Sequence, residues 1–211
     1  MTMITSEQAA TFERCMAVGG VALFGADTVY GLACDADTAE AVERLYAIKG
    51  RRPDKPAAVM FFSLELALAA LPELGPRTTT ALEGLLPGAV TLLLPNPARR
   101  YPLACGVGGD GVDTLGLRVP ALAPTATALA AVRWPVLQSS ANPAGGPDAR
   151  RLEDISPAIR DAADLVLDAG ELDGTASTVV DLRRFEDDGA WDVLREGAVA
   201  SSCVAATLAS L

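Results

Sequence analysis

Four cations stand within seven residues, at Lys49, Arg51, Arg52 and Lys55, in a chain that carries 27 acidic side chains against 17 basic ones. A charge run is ordinarily a solvated surface. Here Pro53 and Pro56 stiffen the segment, Gly50 lets backbone approach a partner closely, and the guanidinium forks suit phosphate or carboxylate oxygens. The segment reads as one built to hold an anion. Elsewhere small polar groups sit where apolar runs end: Thr28 after Val21–Phe24, Ser139-Ser140-Ala141-Asn142 after Pro135–Leu137, and Ser177 beside Val179 and Val180. Strand ends and turns account for such residues one at a time. Together they also describe a ligand-binding rim, because open α/β folds bind at the ends of their strands. Arg118 and Arg195 each stand among apolar strand residues. An unpaired buried guanidinium would cost several kcal/mol, so Arg118 needs a ligand carboxylate, Asp113 or another acidic neighbour.

What is missing narrows the chemistry. The chain has no histidine, which removes Ser-His-Asp and Cys-His catalysis, the usual zinc sites and any imidazole base. Its four cysteines, Cys15, Cys34, Cys105 and Cys203, lie far apart with no C-x-x-C pair and read as unpaired thiols rather than disulfides or metal ligands. No nucleophile–base pair or metal-ligand cluster is visible, so no bound metal is expected. A net charge of −10 opposes an extended nucleic-acid surface, so direct RNA binding is expected to be weak or absent, while a local basic pocket stays compatible.

The elements that must position these groups follow from periodicity and punctuation. A helix is predicted over 6–18 with Ser6 as cap, then a buried strand at 21–24, a turn at 25–28, and a helix capped by Asp37-Thr38 that ends at the basic segment. Strands follow at 57–62, 89–94, 114–119 and 135–139, with helices at 64–71, 78–86 and 123–132 and a Gly-rich loop at 106–111. A helix at 152–161, strands near 164–168, 176–182 and 191–195, and a last helix near 198–210 complete the chain. Early alternation with strands clustered late predicts an α/β fold with a twisted mixed, largely parallel sheet and flanking helices. One domain over 1–211 is expected, with no linker or repeat. No apolar run approaches the ~20 residues that span a bilayer, and the first residues lack a signal-peptide order, so a cytoplasmic protein without a membrane role is expected.

Eight segments, in this order, resemble the YrdC-like family of threonylcarbamoyl-AMP synthases: Asp27–Leu32, Ile48–Arg51, Asp54-Lys55-Pro56, Leu86–Thr91, Leu117–Pro120, Ser140-Ala141-Asn142, Ser177–Asp181 and Leu194–Gly197. The chain stops soon after the last, like the short form of the family without an extra C-terminal domain. The resemblance implies a YrdC-like α/β fold around a basic cavity. It also implies a nucleotidyltransferase that joins L-threonine, bicarbonate and ATP into threonylcarbamoyl-AMP and pyrophosphate, with Mg²⁺ carried by the nucleotide. The product would pass to a tRNA threonylcarbamoyltransferase complex. Carried over by position, Lys49 and Arg51 would be catalytic. Arg51, Lys55, Thr91, Ser140, Asn142 and Arg195 would meet ATP, and Thr28, Arg118 and Ser177 the threonine. Attack of an N-carboxy-threonine oxygen on phosphorus needs no protein nucleophile, which suits a chain without histidine.

The chain departs from the family pattern at Gly25-Ala26, where a Pro-Thr pair is usual. Met60 stands where a histidine often meets the amino acid, Asp148 in place of a serine, and Glu196 in place of a proline. These changes keep two alternatives in view: a paralogue adenylating another carbamoyl or carboxy-amine substrate, including one that uses carbamoyl phosphate, and a non-catalytic RNA-binding module.

Overall fold

A computed structural model describes residues 3–105 and 113–211; the Gly-rich stretch predicted as a loop at 106–111 lies outside the described residues. In chain order the elements are α1 (Ser6–Ala17), β1 (Ala22–Gly25), β2 (Tyr30–Asp35), α2 (Ala39–Lys49), β3 (Ala58–Met60), α3 (Leu64–Ala70), α4 (Pro76–Leu85), β4 (Val90–Pro95) and β5 (Thr114–Arg118). Then come β6 (Val136–Ser140), α5 (Pro157–Ala162), β7 (Leu165–Leu167), β8 (Thr178–Arg184), α6 (Phe185–Asp188), β9 (Ala190–Arg195) and α7 (Ser201–Ala209). All these strands join one sheet in the order β7-β1-β2-β6-β3-β5-β4-β8-β9. It is mixed, as expected. Its parallel share is smaller than the alternation suggested, with β1–β7, β3–β5 and β4–β8 parallel and the other five pairings antiparallel.

The main source of that difference is β2. A turn is predicted at 25–28 and no element between it and the helix capped by Asp37-Thr38, yet Tyr30–Asp35 doubles back as an antiparallel partner, Ala22 opposite Ala33 and Gly25 opposite Tyr30. Its residues Tyr30, Leu32, Ala33 and Cys34 are fully buried, so an uninterrupted apolar segment served as a strand covered on both faces. Three smaller corrections share the same origin in local chemistry. Thr5, not Ser6, caps α1, in a reciprocal capping box with Gln8. The helix expected at 123–132 shrinks to a 3-10 turn, Thr127–Ala131, between Pro124 and Pro135. Pro157 splits the helix expected at 152–161 into a 3-10 turn, Leu152–Asp154, and α5. The short α6 was not predicted; Gly189, in the left-handed region at φ 74°, ends it.

Packing fixes the sheet's helix cover. Phe12 of α1 lies edge-on to Phe24 of β1 at 5.2 Å and to Phe62 after β3 at 5.6 Å, pairs worth about 0.5–1.5 kcal/mol each beyond area burial. Alternation then separates two faces of the central strands. Val59, Leu115, Leu117, Leu137, Leu92 and Val180 are buried in the core, whereas Thr91, Leu93 and Val179 are half-buried. The four cysteines are free, Cys34 and Cys105 buried and Cys203 exposed. Among the described residues no helix is long and apolar enough to cross a membrane.

One largely buried polar network ties together the β7-β1-β2 end of the sheet. The Tyr30 hydroxyl donates to Asp168 Oδ1 at 2.7 Å and accepts from the Ala169 amide at 2.9 Å, tying β2 to the segment after β7. Tyr30→Phe keeps the ring but leaves the Ala169 amide without its acceptor, so unfolding stability is expected to fall by about 1–3 kcal/mol. Urea denaturation checks this: the midpoint should drop with the slope unchanged.

Candidate functional site

The half-buried residues of the central strands floor a cavity of about 650 Å³. Its floor runs across adjacent strands: Gln138 and Ser140 on β6, Ala58 on β3, Gly116 and Arg118 on β5, Thr91 and Leu93 on β4, and Val179 on β8. Ala58 lies opposite both Gln138 and Gly116, and Gly116 opposite Leu93. The centre of this row carries one methyl and one hydrogen, which is what leaves room above the sheet. Arg51, Pro56 and Ala57 form one wall, Asp148 and Val29 close another, and Ser177, Leu194 and Arg195 stand at the far end.

Charge inside the cavity runs opposite to that of the chain. Arg51, Arg118, Arg183 and Arg195 line it, with Asp148 as the only carboxylate among the described lining residues. Among the described residues, two guanidinium Nε–H groups, of Arg51 and Arg118, are buried without a partner. Buried donors left unpaired cost about 1–3 kcal/mol each, more when charged; closed off from solvent, these two do not open onto the free space of the cavity.

The Lys49-Gly50-Arg51 spacing has a structural cause. Gly50 adopts the left-handed conformation, φ 60°, that ends α2, with its amide bonded to Ala47 and that of Arg51 to Tyr46. The turn sends the two cations apart. Arg51 goes to the cavity wall, where Nη2 donates to the Pro56 carbonyl and the guanidinium carbon lies 5.8 Å from the centre of the Tyr46 ring. Lys49 goes beneath the loop after β6 and is only 3% exposed. Its ammonium donates to the Ser140 carbonyl, to the Asn142 carbonyl at 2.8 Å and to Asn142 Oδ1 at 3.0 Å. Three donors meet three acceptors. The Ser140 hydroxyl also donates to Asn142 Oδ1, at 2.7 Å, while Asn142 Nδ2 donates to Gly146 O at 2.6 Å and to Asp148 Oδ1 at 3.2 Å. The Ser-x-Asn stretch is thus a rim whose serine faces the cavity and whose asparagine holds the turn.

The remaining predicted residues divide in the same way. Thr91 Oγ1 and Ser177 Oγ lie 2.8 Å apart, and Arg195 Nη2 donates to the Ser177 carbonyl at 2.8 Å, so these three form one cluster. Gly197 makes it compact: a Cβ there would fall 2.1 Å from the Ala176 carbonyl oxygen. Arg118 pairs not with Asp113 but with Asp27, Nη2 lying 2.9 Å from both carboxylate oxygens, in a pair about 95% buried. Thr28 is buried next to it, its amide on Asp27 Oδ1 at 2.8 Å. Thr28, Lys49, Lys55 and Asn142 therefore do not form the cavity lining, whereas Arg51, Thr91, Arg118, Ser140, Ser177 and Arg195 do.

The departures also find their places. Met60 is fully buried and absent from the lining, Ala26 is buried, and a Cβ at Gly25 would press on Ala169 at 2.8 Å. Glu196 Oε1 accepts from the Ser201 amide at 2.8 Å, capping α7. Asp148 does face the cavity. Among the lining residues without a signal in motif reading are Gln138, next to the Ser-x-Asn stretch, and Arg183, which is held by Asp181. Strand alternation from Ser140 would have put Gln138 on the rim's face.

Burial, and then the Arg51 charge, push the Lys49 ammonium down to about 8, with Asp148 opposing. The usual lysine value in the unfolded chain is 10.5, so between about 8 and 10.5 the unfolded chain binds the extra proton and this group's contribution to stability rises with pH. Below about 8 its full cost is present. The stability advantage of wild type over Lys49→Met should therefore grow across that interval by on the order of 3 kcal/mol. Urea midpoints of both proteins at matched pH values test it, and a pH-independent gap would overturn it.

The family Sua5/YciO/YrdC, described as telomere recombination, matches residues 14–197. A threonylcarbamoyl-AMP synthase of Xanthomonas campestris is 36% identical over 166 residues, 76% of this chain and 84% of its own length. A threonylcarbamoyl-AMP synthase of Pyrococcus abyssi is 28% identical over 168 residues, 79% of this chain and 48% of its own length. The crystal structure of P. abyssi Sua5 complexed with L-threonine superposes with a TM-score of 0.82 at 25% identity, over 96% of this chain and 58% of that one.

Proposed function

Because the chain belongs to the Sua5/YciO/YrdC family, we propose that it is a nucleotidyltransferase forming threonylcarbamoyl-AMP and pyrophosphate from L-threonine, bicarbonate and ATP. The observation that carries this reading is a single cavity lined by the guanidinium groups of Arg51, Arg118 and Arg195 together with the hydroxyls of Thr91, Ser140 and Ser177. They would take the two anions of such a reaction, phosphate and amino-acid carboxylate. Relatives named threonylcarbamoyl-AMP synthase and a neighbour complexed with L-threonine support the same reading.

In this scheme the threonine amine joins bicarbonate with loss of water, giving a carboxylated amine. One of its oxygens attacks the α-phosphorus, the bond to the β-phosphate oxygen breaks, and pyrophosphate leaves with the electron pair. No step requires a protein nucleophile. Arg51, Ser140 and the Thr91–Ser177–Arg195 cluster would hold the nucleotide, and Arg118, oriented by Asp27, the threonine carboxylate. Ser177, bonded to Thr91, would stand where the two substrates meet. Lys49 and Asn142 would act by fixing the Ser140 rim, Thr28 by orienting Asp27, and Lys55 from outside the lining. Magnesium would arrive on the nucleotide; among the described residues no trio of Cys, Asp or Glu is grouped to bind it. The adenylate would then pass to a partner that modifies tRNA.

The direct test incubates purified protein with ATP, bicarbonate and threonine. Pyrophosphate and threonylcarbamoyl-AMP are expected, each dependent on all three substrates; pyrophosphate released with AMP in the absence of threonine would be ATP hydrolysis, and an adduct formed only when another amine replaces threonine would point to that amine. Arg51→Ala is expected to weaken ATP binding about 10- to 100-fold by removing a charge-assisted contact of about 1.5–3 kcal/mol. Calorimetric titration with ATP alone measures it. Asp148→Asn, which removes the cavity's carboxylate, should tighten ATP about 5-fold, equivalent to roughly 1 kcal/mol, with the effect shrinking at high salt.

A further inference from the structure

Gln138 is 7% exposed, lies in the middle of β6, and lines the cavity. Among the described residues its carboxamide makes no hydrogen bond, although buried amides ordinarily find partners. Nor is it loosely placed. It lies across Gly31 of the adjacent strand, where a Cβ would come within 2.4 Å of Nε2 and 3.3 Å of the amide carbon. Gly31 thus makes room for the amide, which keeps both a donor and an acceptor for whatever fills the cavity.

The register says which part of a ligand that is. Ser140 of the nucleotide rim stands one pleat away along β6. On the other side, Gln138 shares its row with Ala58 and Gly116, and the next row of β5 carries Arg118. The small side chains of Ala58 and Gly116 put no bulk between them. Gln138 therefore stands between the group that would hold phosphate and the group that would hold the amino-acid carboxylate.

We propose that Gln138 is a substrate-positioning residue that recognises the carboxylated amine itself, an inference resting on the function proposed above. In an N-carboxylate one oxygen always lies on the same side of the C–N bond as the N–H. A carboxamide matches that edge with two parallel bonds, Nε2–H to the oxygen and the amine N–H to Oε1. The second oxygen stays unengaged and directed toward the α-phosphorus. Gln138 would bind neither bare threonine nor ATP.

The test compares wild type with Gln138→Met, similar in length but without hydrogen bonds, and Gln138→Glu, which keeps an acceptor and loses the donors. ATP and threonine affinities, titrated separately, should stay within about twofold in Gln138→Met. Its kcat/KM for bicarbonate in adduct formation should fall about 30-fold, and further in Gln138→Glu, where a carboxylate faces a carboxylate. Loss of ATP affinity in step with turnover, or unchanged turnover in both variants, would overturn the assignment while leaving the synthase reading intact. Absence of a threonine-dependent product in wild type would overturn both. Thermal melting of each variant identifies a folding defect, and the second variant then decides.

Discussion

A lysine buried without a carboxylate in direct contact organises the site. Water is replaced around the Lys49 ammonium by three oxygens of one short loop, the Ser140 and Asn142 carbonyls and the Asn142 amide oxygen. Such a burial is tolerable only if the loop keeps that geometry, because each donor left unmatched in the interior costs on the order of 1–3 kcal/mol. The dependence runs both ways. The Ala144 amide bonds back to the Lys49 carbonyl at 3.0 Å, and Asn142 Nδ2 reaches the Gly146 carbonyl, so helix end and loop hold each other. Lys49 also sits in the last turn of α2, where the helix dipole favours a cation. Ser140 faces the cavity because this lattice of bonds leaves it no other place.

Asp148 fits the same frame. Its carboxylate accepts from Asn142 and opposes the depression of the Lys49 pKa, so it shares in compensating a buried charge. It is also the acidic member of an otherwise cationic lining. One residue thus acts in two places, offsetting the burial of the lysine and weakening the positive field of the cavity.

How much of this was legible in the sequence depends on range. Residues whose neighbours in the chain settle their conformation were readable: the buried strand at 21–24, the helix that stops at the basic segment, and the strand read at 89–94. The family motifs found Arg51, Ser140 and Arg195 because those positions contact the cavity in the fold. The motifs could not say that Lys49 and Asn142 lie behind the rim, since that follows from a contact 93 residues apart in sequence. Asp27 as the partner of Arg118 is likewise 91 residues away, and nearer Asp113 pairs elsewhere, with Arg99. The hairpin of β2 went unread because a fully buried strand has no polar face to alternate with. Gln138 carried no motif at all; only pairing with Ala58 and proximity to Gly31 give its amide a role.

The distribution of charge explains why a chain with net charge −10 can be built around anion binding. Much of the exterior arginine is neutralised locally, as in Arg44 with Asp164, Arg150 and Arg151 with Glu171, and Arg184 with Asp188. Such exposed pairs are worth little to stability, but they leave few free cations to attract a long polyanion. Inside the cavity the arginines face a low-dielectric wall, where field lines concentrate and a fixed charge acts on a bound anion far more strongly than it would in water. An extended phosphate backbone meets a net acidic exterior, while the cavity lining presents Arg51 and Arg195 together with Arg118 and Arg183, the last two paired with Asp27 and Asp181. Size, together with charge, then separates the two classes of anion, and the proposed nucleotide substrate suits this distribution better than a nucleic acid does.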